Sequence, residues 1–347
     1  MFLHAIASAL PPASYTQAEV LAHLRQSAPW RGLRDQSREL LEKILSGESG
    51  IERRHFANTH AEALLSAGPQ ELNRAFEVTA PALASRALER ALQRGAVAAR
   101  EVDAVFVCTC TGYLCPGPSS YIAEGMGLRD DVVLHDLVGL GCGAAIPTLR
   151  AASHFLAAHP EATAAVVAVE VCSAAFFLND DPSVLVSLCL FGDGASASLW
   201  RGQSRAAATQ WQARGFRSLH RPAEREKIRF VNDQGKLKNK LHRSVPAVAA
   251  AAVLELFGKD HANGSAANVC VVAHGGGRDV ITALREALPK QELAFTTEVL
   301  RHQGNMSSPS VLFALERALN ENIRSPLWLT AFGAGFAAHS CRLERHD

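Results

Sequence analysis

Residues 136–159 read DLVGLGCGAAIPTLRAASHFLAAH and place Cys142 between two glycines, just ahead of a predicted helix. Apolar residues follow at spacings of three and four, and Pro147 suits a first helical turn, where its missing N–H costs little. Because a helix start presents unpaired N–H groups and a positive dipole end, it favours a thiolate and predicts a lowered pKa for Cys142. A packed turn cysteine explains this segment equally well, since buried cysteines are common.

Two other glycine-flanked junctions carry side chains that could serve a nucleophilic cysteine. His274 ends the strand pattern NVCVVAHGGG of residues 268–277, and Asn305 follows Gly304 ahead of another helix pattern. Each alone fits a structural role, His274 as a satisfied core histidine and Asn305 as a helix cap. A nucleophilic cysteine needs a base or an electrostatic partner, so the three residues together favour one catalytic site.

Length, composition and charge limit the class of protein. The 347 residues could form two ordinary domains or one large α/β unit with two halves. The 35 Lys and Arg residues nearly balance the 34 Asp and Glu residues, which excludes a general attraction to nucleic acid or anionic membrane. No Lys or Arg precedes Arg25, and no run approaches the ~18 apolar residues of a membrane span. We therefore expect a cytoplasmic protein.

Most of the eight cysteines lie in apolar, strand-like segments, as is typical of buried thiols in a protein of this size. Cys108, Cys110 and Cys115 lie close together but lack a C-x-x-C pair and a matching downstream pair. We therefore expect no metal site there.

A helix pattern, a polar link and a buried strand ending in polar residues and glycine occur twice, in residues 80–112 and 245–277. This repeat, about 160 residues apart, indicates two similar halves. Residues 164–171, 183–192 and 325–341 are predicted as further strands of a helix-covered sheet. The polar and basic stretch 203–242 is predicted as a connection with short strands and loops.

The HGGG segment at 274–277 is similar to the oxyanion loop of α/β-hydrolases. Their nucleophile turn requires glycine where this chain has Leu140 and Ala144, and their HGGG precedes the nucleophile. These two differences exclude the hydrolase interpretation.

Four segments together resemble the type III polyketide synthases, the chalcone and stilbene synthase-like family of the thiolase fold. They are GLGCGAA at 139–145, LFGDGA at 190–195, AHGGG at 273–277 and GNMSSPSVLFAL at 304–315. The resemblance covers nearly the whole chain and implies an α/β class, with a five-layered αβαβα fold of two similar halves. Residues 1–205 would carry the cysteine, residues 206–347 the histidine and asparagine, and the protein would be a homodimer.

The resemblance also implies a reaction. Cys142 resembles the nucleophile that accepts an acyl group from a starter acyl-CoA, and His274 and Asn305 resemble the pair that binds the thioester carbonyl of malonyl-CoA. The expected activity is iterative decarboxylative condensation of malonyl-CoA onto the held acyl group. CoA thioesters would be the substrates, with no metal or other cofactor.

Further residues are assigned by the same resemblance. Phe191 would lie where the CoA tunnel meets the cavity. Gly276 would bind CoA together with Arg53 or Arg54, the resemblance leaving open which of the two arginines does so. The expected cavity wall consists of Cys110, Cys115, Cys172, Ala175 and Ser187.

This chain departs from the family at two positions that concern the substrate. Gly275 replaces a common proline, and the second gatekeeping phenylalanine has no obvious equivalent, Asn239 being nearest by counting. The small wall residues favour an aliphatic starter and alkylpyrone or alkylresorcinol products.

Two alternatives stay open. The first is a single condensation or simple acyl transfer of the ketoacyl-ACP synthase III type, with or without a carrier protein, since those enzymes share Cys, His and Asn. The second is a non-catalytic thiolase-fold partner, which would make the presence of all three site residues a coincidence.

Overall fold

The computed structural model describes residues 1–58, 65–204, 210–262, 268–321 and 323–346. The strands are β1 Phe2–Ala9, β2 Ser14–Thr16, β3 Arg53–His55, β4 Ala104–Cys108, β5 Val133–Leu137, β6 Thr163–Glu170, β7 Gly194–Arg201, β8 Gln210–His220, β9 Ile228–Asp233, β10 Lys236–Leu241, β11 Cys270–Ala273, β12 Leu327–Gly333 and β13 Ala337–His346. The helices are α1 Gln17–Gln26, α2 Ala28–Arg31, α3 Asp35–Lys43, α4 Pro69–Gly95, α5 Pro118–Met126, α6 Ala145–Ala158, α7 Pro182–Leu190, α8 Val245–Asp260, α9 Arg278–Ala287, α10 Ala294–Gln303 and α11 Ser310–Asn320. None of the helices in these ranges is long and apolar enough to cross a membrane.

The main sheet has the strand order β11-β12-β13-β8-β1-β7-β6-β4-β5. Its two parts meet at a short seam, where β1 pairs with β8 through Phe2–Gln212 and Leu3–Trp211. Strands from residues 2–201 lie on one side of the seam, and strands from residues 210–346 lie on the other. The division predicted between residues 205 and 206 falls at 205–209, outside the described residues, and stays a prediction.

The faces of the sheet show five layers. On β4, Val105 packs on the side of α4 and α5, whereas Phe106 packs on the side of α6 and α11. On β12, Leu329 faces α6 and α11, whereas Trp328 faces α8 and α9. The alternation of strand side chains therefore places α6 and α11 between the two parts of the sheet. The order helix, sheet, helix, sheet, helix is the thiolase-like αβαβα fold expected from the sequence.

The central helix α6 is held firmly by its burial. Ile146, Leu149 and Leu156 are at most 1% exposed, and burying each such side chain stabilises the fold by roughly 1.5–3 kcal/mol. The turn that carries Cys142 leads directly into this helix, so its position is fixed by the core.

Two predicted segments differ in the structure. Residues 183–192 are predicted as a strand, but Pro182–Leu190 forms α7. Pro182 occupies the first turn, and the Asp181 carboxylate accepts a hydrogen bond from the Ser183 N–H at 2.9 Å. The run is apolar except for Ser183 and Ser187, so its apolar residues show little period that distinguishes helix from strand. The stretch 203–242 is more than a connection, because β8 belongs to the main sheet and β9 pairs with β10 in a separate hairpin.

Candidate active site

Three chain junctions meet at one cavity, here called the outer cavity. Cys142 lies in the turn Gly141–Gly143 before α6, His274 follows β11, and Asn305 lies between α10 and α11. All three line this cavity, whose volume is about 660 Å³. Their exposed fractions are only 7%, 1% and 4%, so a ligand that reaches them leaves bulk water.

The Cys142 thiol is neutral near pH 7. Burial raises its pKa to about 12, and a hydrogen bond from Ser307 Oγ to Sγ, at 3.2 Å, opposes that rise. The expectation of a lowered pKa is wrong, because loss of solvation outweighs the favourable helix start. The tight turn needs glycine at 141, where φ is 58° and a Cβ atom would approach Ala334 N within 3.0 Å.

The His274 imidazole is also neutral, since burial lowers its pKa to about 4. Its backbone N–H donates to the Thr330 carbonyl at 2.9 Å, and its ring packs on Phe332 with 5.3 Å between centroids. Nδ1 is buried without a hydrogen-bond partner in the described part of the chain. A neutral imidazole can accept a proton or donate one, according to its tautomer.

The Asn305 amide is fixed by two hydrogen bonds. Its Oδ1 accepts from the Ser307 N–H at 2.8 Å, and its Nδ2 donates to the Gly276 carbonyl at 2.7 Å. Its backbone pairs with the α7 end, donating to the Leu190 carbonyl at 2.9 Å and accepting from the Gly192 N–H at 3.0 Å. The amide has two N–H donors, so one remains for a ligand.

A buried network behind Cys142 was not foreseen from the sequence. Ser307 Oγ lies 3.3 Å from Cys110 Sγ, and Cys110 Sγ donates to Glu170 Oε1 at 3.2 Å. The fully buried Glu170 also accepts from Ser308 Oγ at 2.6 Å, and its burial raises the pKa of this carboxyl. The available signal was Glu170 itself, a charged residue that ends an otherwise apolar strand.

Phe191 lies where two cavities adjoin. It lines the outer cavity and also a narrow apolar neck of about 30 Å³. The neck adjoins an inner cavity of about 550 Å³, because Thr111, Ala175, Phe230 and Leu237 line both. This placement agrees with the junction expected for Phe191.

Four of the five expected wall residues border these cavities. Cys172, Ala175 and Ser187 line the neck, and Cys110 lines the inner cavity. The assignment of Cys115 is not supported, because its side chain is exposed and lies on none of these three walls. Cys115 lies in the loop before α5, beyond the end of β4.

The hairpin β9–β10 supplies an aromatic wall residue that sequence reasoning missed. Phe230 lines both the neck and the inner cavity. Across the hairpin it pairs with Asn239, which lines the neck and donates from Nδ2 to Ser187 Oγ at 2.9 Å. An aromatic side chain is therefore present, although counting along the sequence pointed only to Asn239.

The assignment of Arg54 to CoA is wrong. Arg54 is fully buried, and its Nη1 donates to the carbonyls of Leu188 at 2.6 Å and Phe191 at 2.7 Å. Burial lowers the pKa of Arg54 to about 10, which is still well above 7, so the guanidinium stays charged. Its hydrogen bonds fix the end of α7. Arg53 points to solvent, donates to Ser14 Oγ at 2.6 Å and does not line the outer cavity.

Other basic residues line the outer cavity. They come from the end of α3, the segment before α8 and the start of α9, and they are Lys43, His242, Arg243 and Arg278. Gly276 also lines this cavity, with φ of 60°. The positive charge expected beside CoA is thus present, on residues that the sequence did not single out.

The protein-family comparison matches residues 10–257 to the family described as FAE1/Type III polyketide synthase-like protein. The chain belongs to this family. Its members are acyltransferase-type enzymes of polyketide biosynthesis, and the chain is an enzyme of this type. The matched residues include Cys142 but end before His274 and Asn305.

Curated relatives differ in how much they share with this chain. The 3,5-dihydroxyphenylacetyl-CoA synthase of Streptomyces toyocaensis is 32% identical over 258 residues, which are 70% of this chain and 65% of that protein. The chain thus aligns with about two thirds of that relative's length. The 1,3,6,8-tetrahydroxynaphthalene synthase of Streptomyces peucetius subsp. caesius is 28% identical over 348 residues, 96% of this chain and 90% of that protein.

Solved structures share the fold at low sequence identity. PKS-I from the brown alga Ectocarpus siliculosus superposes with a TM-score of 0.90 at 22% identity, over 99% of this chain and 98% of that chain. The 1,3,6,8-tetrahydroxynaphthalene synthase from Streptomyces coelicolor A3(2) superposes with a TM-score of 0.86 at 24% identity, over all of both chains. The second of these is described as a bacterial type III polyketide synthase, and the likeness to both structures establishes the fold class.

Proposed function

We propose that the protein extends an acyl group held on Cys142 by repeated decarboxylative condensation with malonyl-CoA. The observation that carries this proposal is the convergence of Cys142, His274 and Asn305 on one buried cavity with a basic mouth. A thiol, an imidazole and an amide donor are the groups that acyl transfer and enolate stabilisation require.

In the loading step, the Cys142 sulfur attacks the thioester carbonyl of the starter acyl-CoA. Thiol and imidazole are both neutral at rest, so His274 takes the thiol proton as the new C–S bond forms. The bond to the CoA sulfur breaks, and His274 returns the proton to that sulfur. The acyl group is then held as a thioester on Cys142.

In the extension step, malonyl-CoA loses CO₂ and the electron pair of the broken C–C bond forms an enolate. The free Asn305 N–H and the His274 N–H stabilise the enolate oxygen. The enolate carbon attacks the acyl carbonyl and the C–S bond to Cys142 breaks, which leaves the longer chain as a β-ketoacyl-CoA. The Cys142 sulfur then attacks this thioester and takes the chain back, while the CoA sulfur leaves and takes up a proton. CoA arrives with each substrate, and no other cofactor is required.

We propose that CoA binds in the basic mouth of the outer cavity, with its phosphates near Lys43, Arg243 and Arg278. Arginine suits phosphate because its planar donors match two oxygens at once. Gly276 would allow the pantetheine arm to approach the backbone closely, since glycine carries no side chain.

The neck supports an aliphatic starter. Its volume of about 30 Å³ is small beside the 550 and 660 Å³ of the two cavities, and a methylene chain has a smaller cross-section than an aromatic ring. Phe177, Val184 and Leu188 make its wall apolar, and each buried methylene contributes about 0.8 kcal/mol. The products would be alkylpyrones or alkylresorcinols.

The test is mass spectrometry of products from malonyl-CoA with hexanoyl-, lauroyl- and coumaroyl-CoA, together with kcat/KM for each starter. We expect CO₂ release, several extensions and a gain with alkyl length. Preference for coumaroyl-CoA would contradict the aliphatic starter. A product with only one extension, or acyl-enzyme without CO₂, would instead favour the ketoacyl-synthase-III-like alternative.

We also propose a homodimer in the cytoplasm. Strand β5 is an edge of the main sheet and exposes Val133 and Leu134, with Tyr113 and Val138 exposed as well. A bare apolar edge favours pairing with a second copy, and Val133→Asp should lower the mass measured by light scattering.

The free cysteines agree with a reducing compartment.

A further inference from the structure

The inner cavity has a cationic wall that the condensation chemistry does not use. Arg225, Arg229 and Lys236 line it, whereas no Asp or Glu is among its described lining residues. Glu226 lies 3.4 Å from Arg225 Nε and 2.5 Å from Arg229 Nη1. One carboxylate therefore forms ion pairs with two guanidinium groups, so the wall keeps a net positive charge.

Lys236 stands where the neck meets the inner cavity. Its Nζ lies over the ring of Phe177, 5.3 Å from the centroid, and Phe177 lines the neck. Lys238, two residues further on, pairs with Asp181 at 2.8 Å and Asp233 at 3.6 Å. Lys236 has no carboxylate partner within the described ranges, so its ammonium group is available to a ligand.

The remaining wall of the inner cavity is largely apolar, with Leu72, Phe76 and Val138 among its residues. Cys110 and Gly141, which lie beside Cys142, line the same cavity. An acyl chain attached to the Cys142 sulfur can therefore extend along an apolar surface and end at cations.

We propose that Lys236, with Arg225 and Arg229, binds a carboxylate at the far end of the starter, so that the preferred starter is an ω-carboxyacyl-CoA. This inference rests on the proposed function and deepens it, because it concerns the end of the aliphatic chain away from the thioester. A carboxylate gains charge-assisted hydrogen bonds there, whereas a methyl end of the same length gains nothing from the cations.

The experiment compares octanoyl-CoA with the mono-CoA thioester of octanedioic acid, which has the same chain length. Wild type should favour the carboxylated starter in kcat/KM by about five- to tenfold, since partly exposed ion pairs are individually modest. Lys236→Met should lower this ratio to about twofold or less, since Arg225 and Arg229 remain but share Glu226. Lys240→Met, an exposed lysine on the same strand that does not line the cavity, should keep the wild-type ratio.

A second measurement separates this inference from the proposed function. The dissociation constants of both thioesters are measured on Cys142→Ala, with and without Lys236→Met, so that no turnover is needed. Tighter binding of the carboxylated thioester that depends on Lys236 supports the inference, even if no starter is extended. The absence of extension would refute only the proposed function. Extension of octanoyl-CoA with equal binding of both thioesters would overturn only the inference, as would a wild-type preference that survives Lys236→Met.

Discussion

Ser307 Oγ donates a hydrogen bond to Cys142 Sγ at 3.2 Å, although 165 residues separate them in the sequence. The Ser307 N–H also donates to Asn305 Oδ1 at 2.8 Å. Ser307 has φ of 58°, a left-handed conformation that residues other than glycine adopt at an energetic cost, often at functional sites. Ser307 therefore connects the Cys142 thiol and the Asn305 amide through two hydrogen bonds.

Replacing Ser307 by alanine should make Cys142 less reactive. The hydrogen bond from Ser307 lowers the pKa of the thiol against the effect of burial, and a hydrogen bond to a charged group contributes about 1.5 kcal/mol or more. We expect alkylation by iodoacetamide at a fixed pH to slow about tenfold. Ser153→Ala is the control, because among the described residues Ser153 Oγ donates only to the Arg150 carbonyl; equal rates in both variants would show that the contact is inert.

Cys142→Ala should abolish starter loading while leaving some malonyl-CoA decarboxylation. The proposed enolate donors, His274 and Asn305, are held in place by backbone groups, so they should keep their positions without the thiol. Intact-protein mass spectrometry measures loading, and trapped CO₂ measures decarboxylation. Product formation at a near-normal rate would refute the role of Cys142 as nucleophile.

His274→Ala should reduce turnover by about 10²–10³, the usual loss when a principal oxyanion donor is removed. Decarboxylation of malonyl-CoA should fall by a similar factor, unlike in Cys142→Ala. Asn305→Ala provides the comparison, since it removes the other donor. Turnover within a few-fold of wild type would exclude His274 from the chemistry.

The helix-covered sheet of two similar halves and the three junctions could be predicted because they depend on local patterns, whereas the five-layered order was implied by the family resemblance. Apolar periods mark the helices and strands, and glycines mark the ends where Cys142, His274 and Asn305 lie. The contacts that set their chemistry join distant segments, as Ser307 and Cys142 do, and no local pattern shows them. The pKa of Cys142 was mispredicted for this reason, since burial by the rest of the fold decides it.

The orientation of individual side chains also could not be predicted from the sequence. Arg53 and Arg54 are neighbours on the three-residue strand β3, and successive side chains of a strand point to opposite sides. So short a strand has no period to show which arginine is buried. The same holds for α7, where two serines in an otherwise apolar run are too few to show the helical period.

Arg54→Met should destabilise the protein by about 2–4 kcal/mol, because it leaves the buried carbonyls of Leu188 and Phe191 without their donor. Arg53→Met removes the exposed neighbour and should change stability by less than about 0.5 kcal/mol. Urea unfolding of the two variants measures the difference. If Arg53→Met instead raises KM for CoA thioesters with unchanged stability, the original assignment of that residue to CoA would stand.

The last prediction concerns acid stability. His339 is 2% exposed on β13, its Nδ1 lies 2.8 Å from Ser218 Oγ, and burial lowers its pKa to about 4, helped by the nearby His220 and Arg150. Since an unfolded histidine titrates near 6.5, the unfolded chain binds a proton between pH 6.5 and 4 while the folded chain does not. Native stability must therefore fall as the pH falls through this window, by about 3 kcal/mol from this residue.

His339→Gln removes the titrating group, so the difference in unfolding free energy between wild type and variant should shift by that amount between pH 7 and pH 4. Groups present in both proteins, such as the neutral His274, cancel in the comparison. A His339→Gln curve that runs parallel to wild type would show that the imidazole is protonated inside the fold.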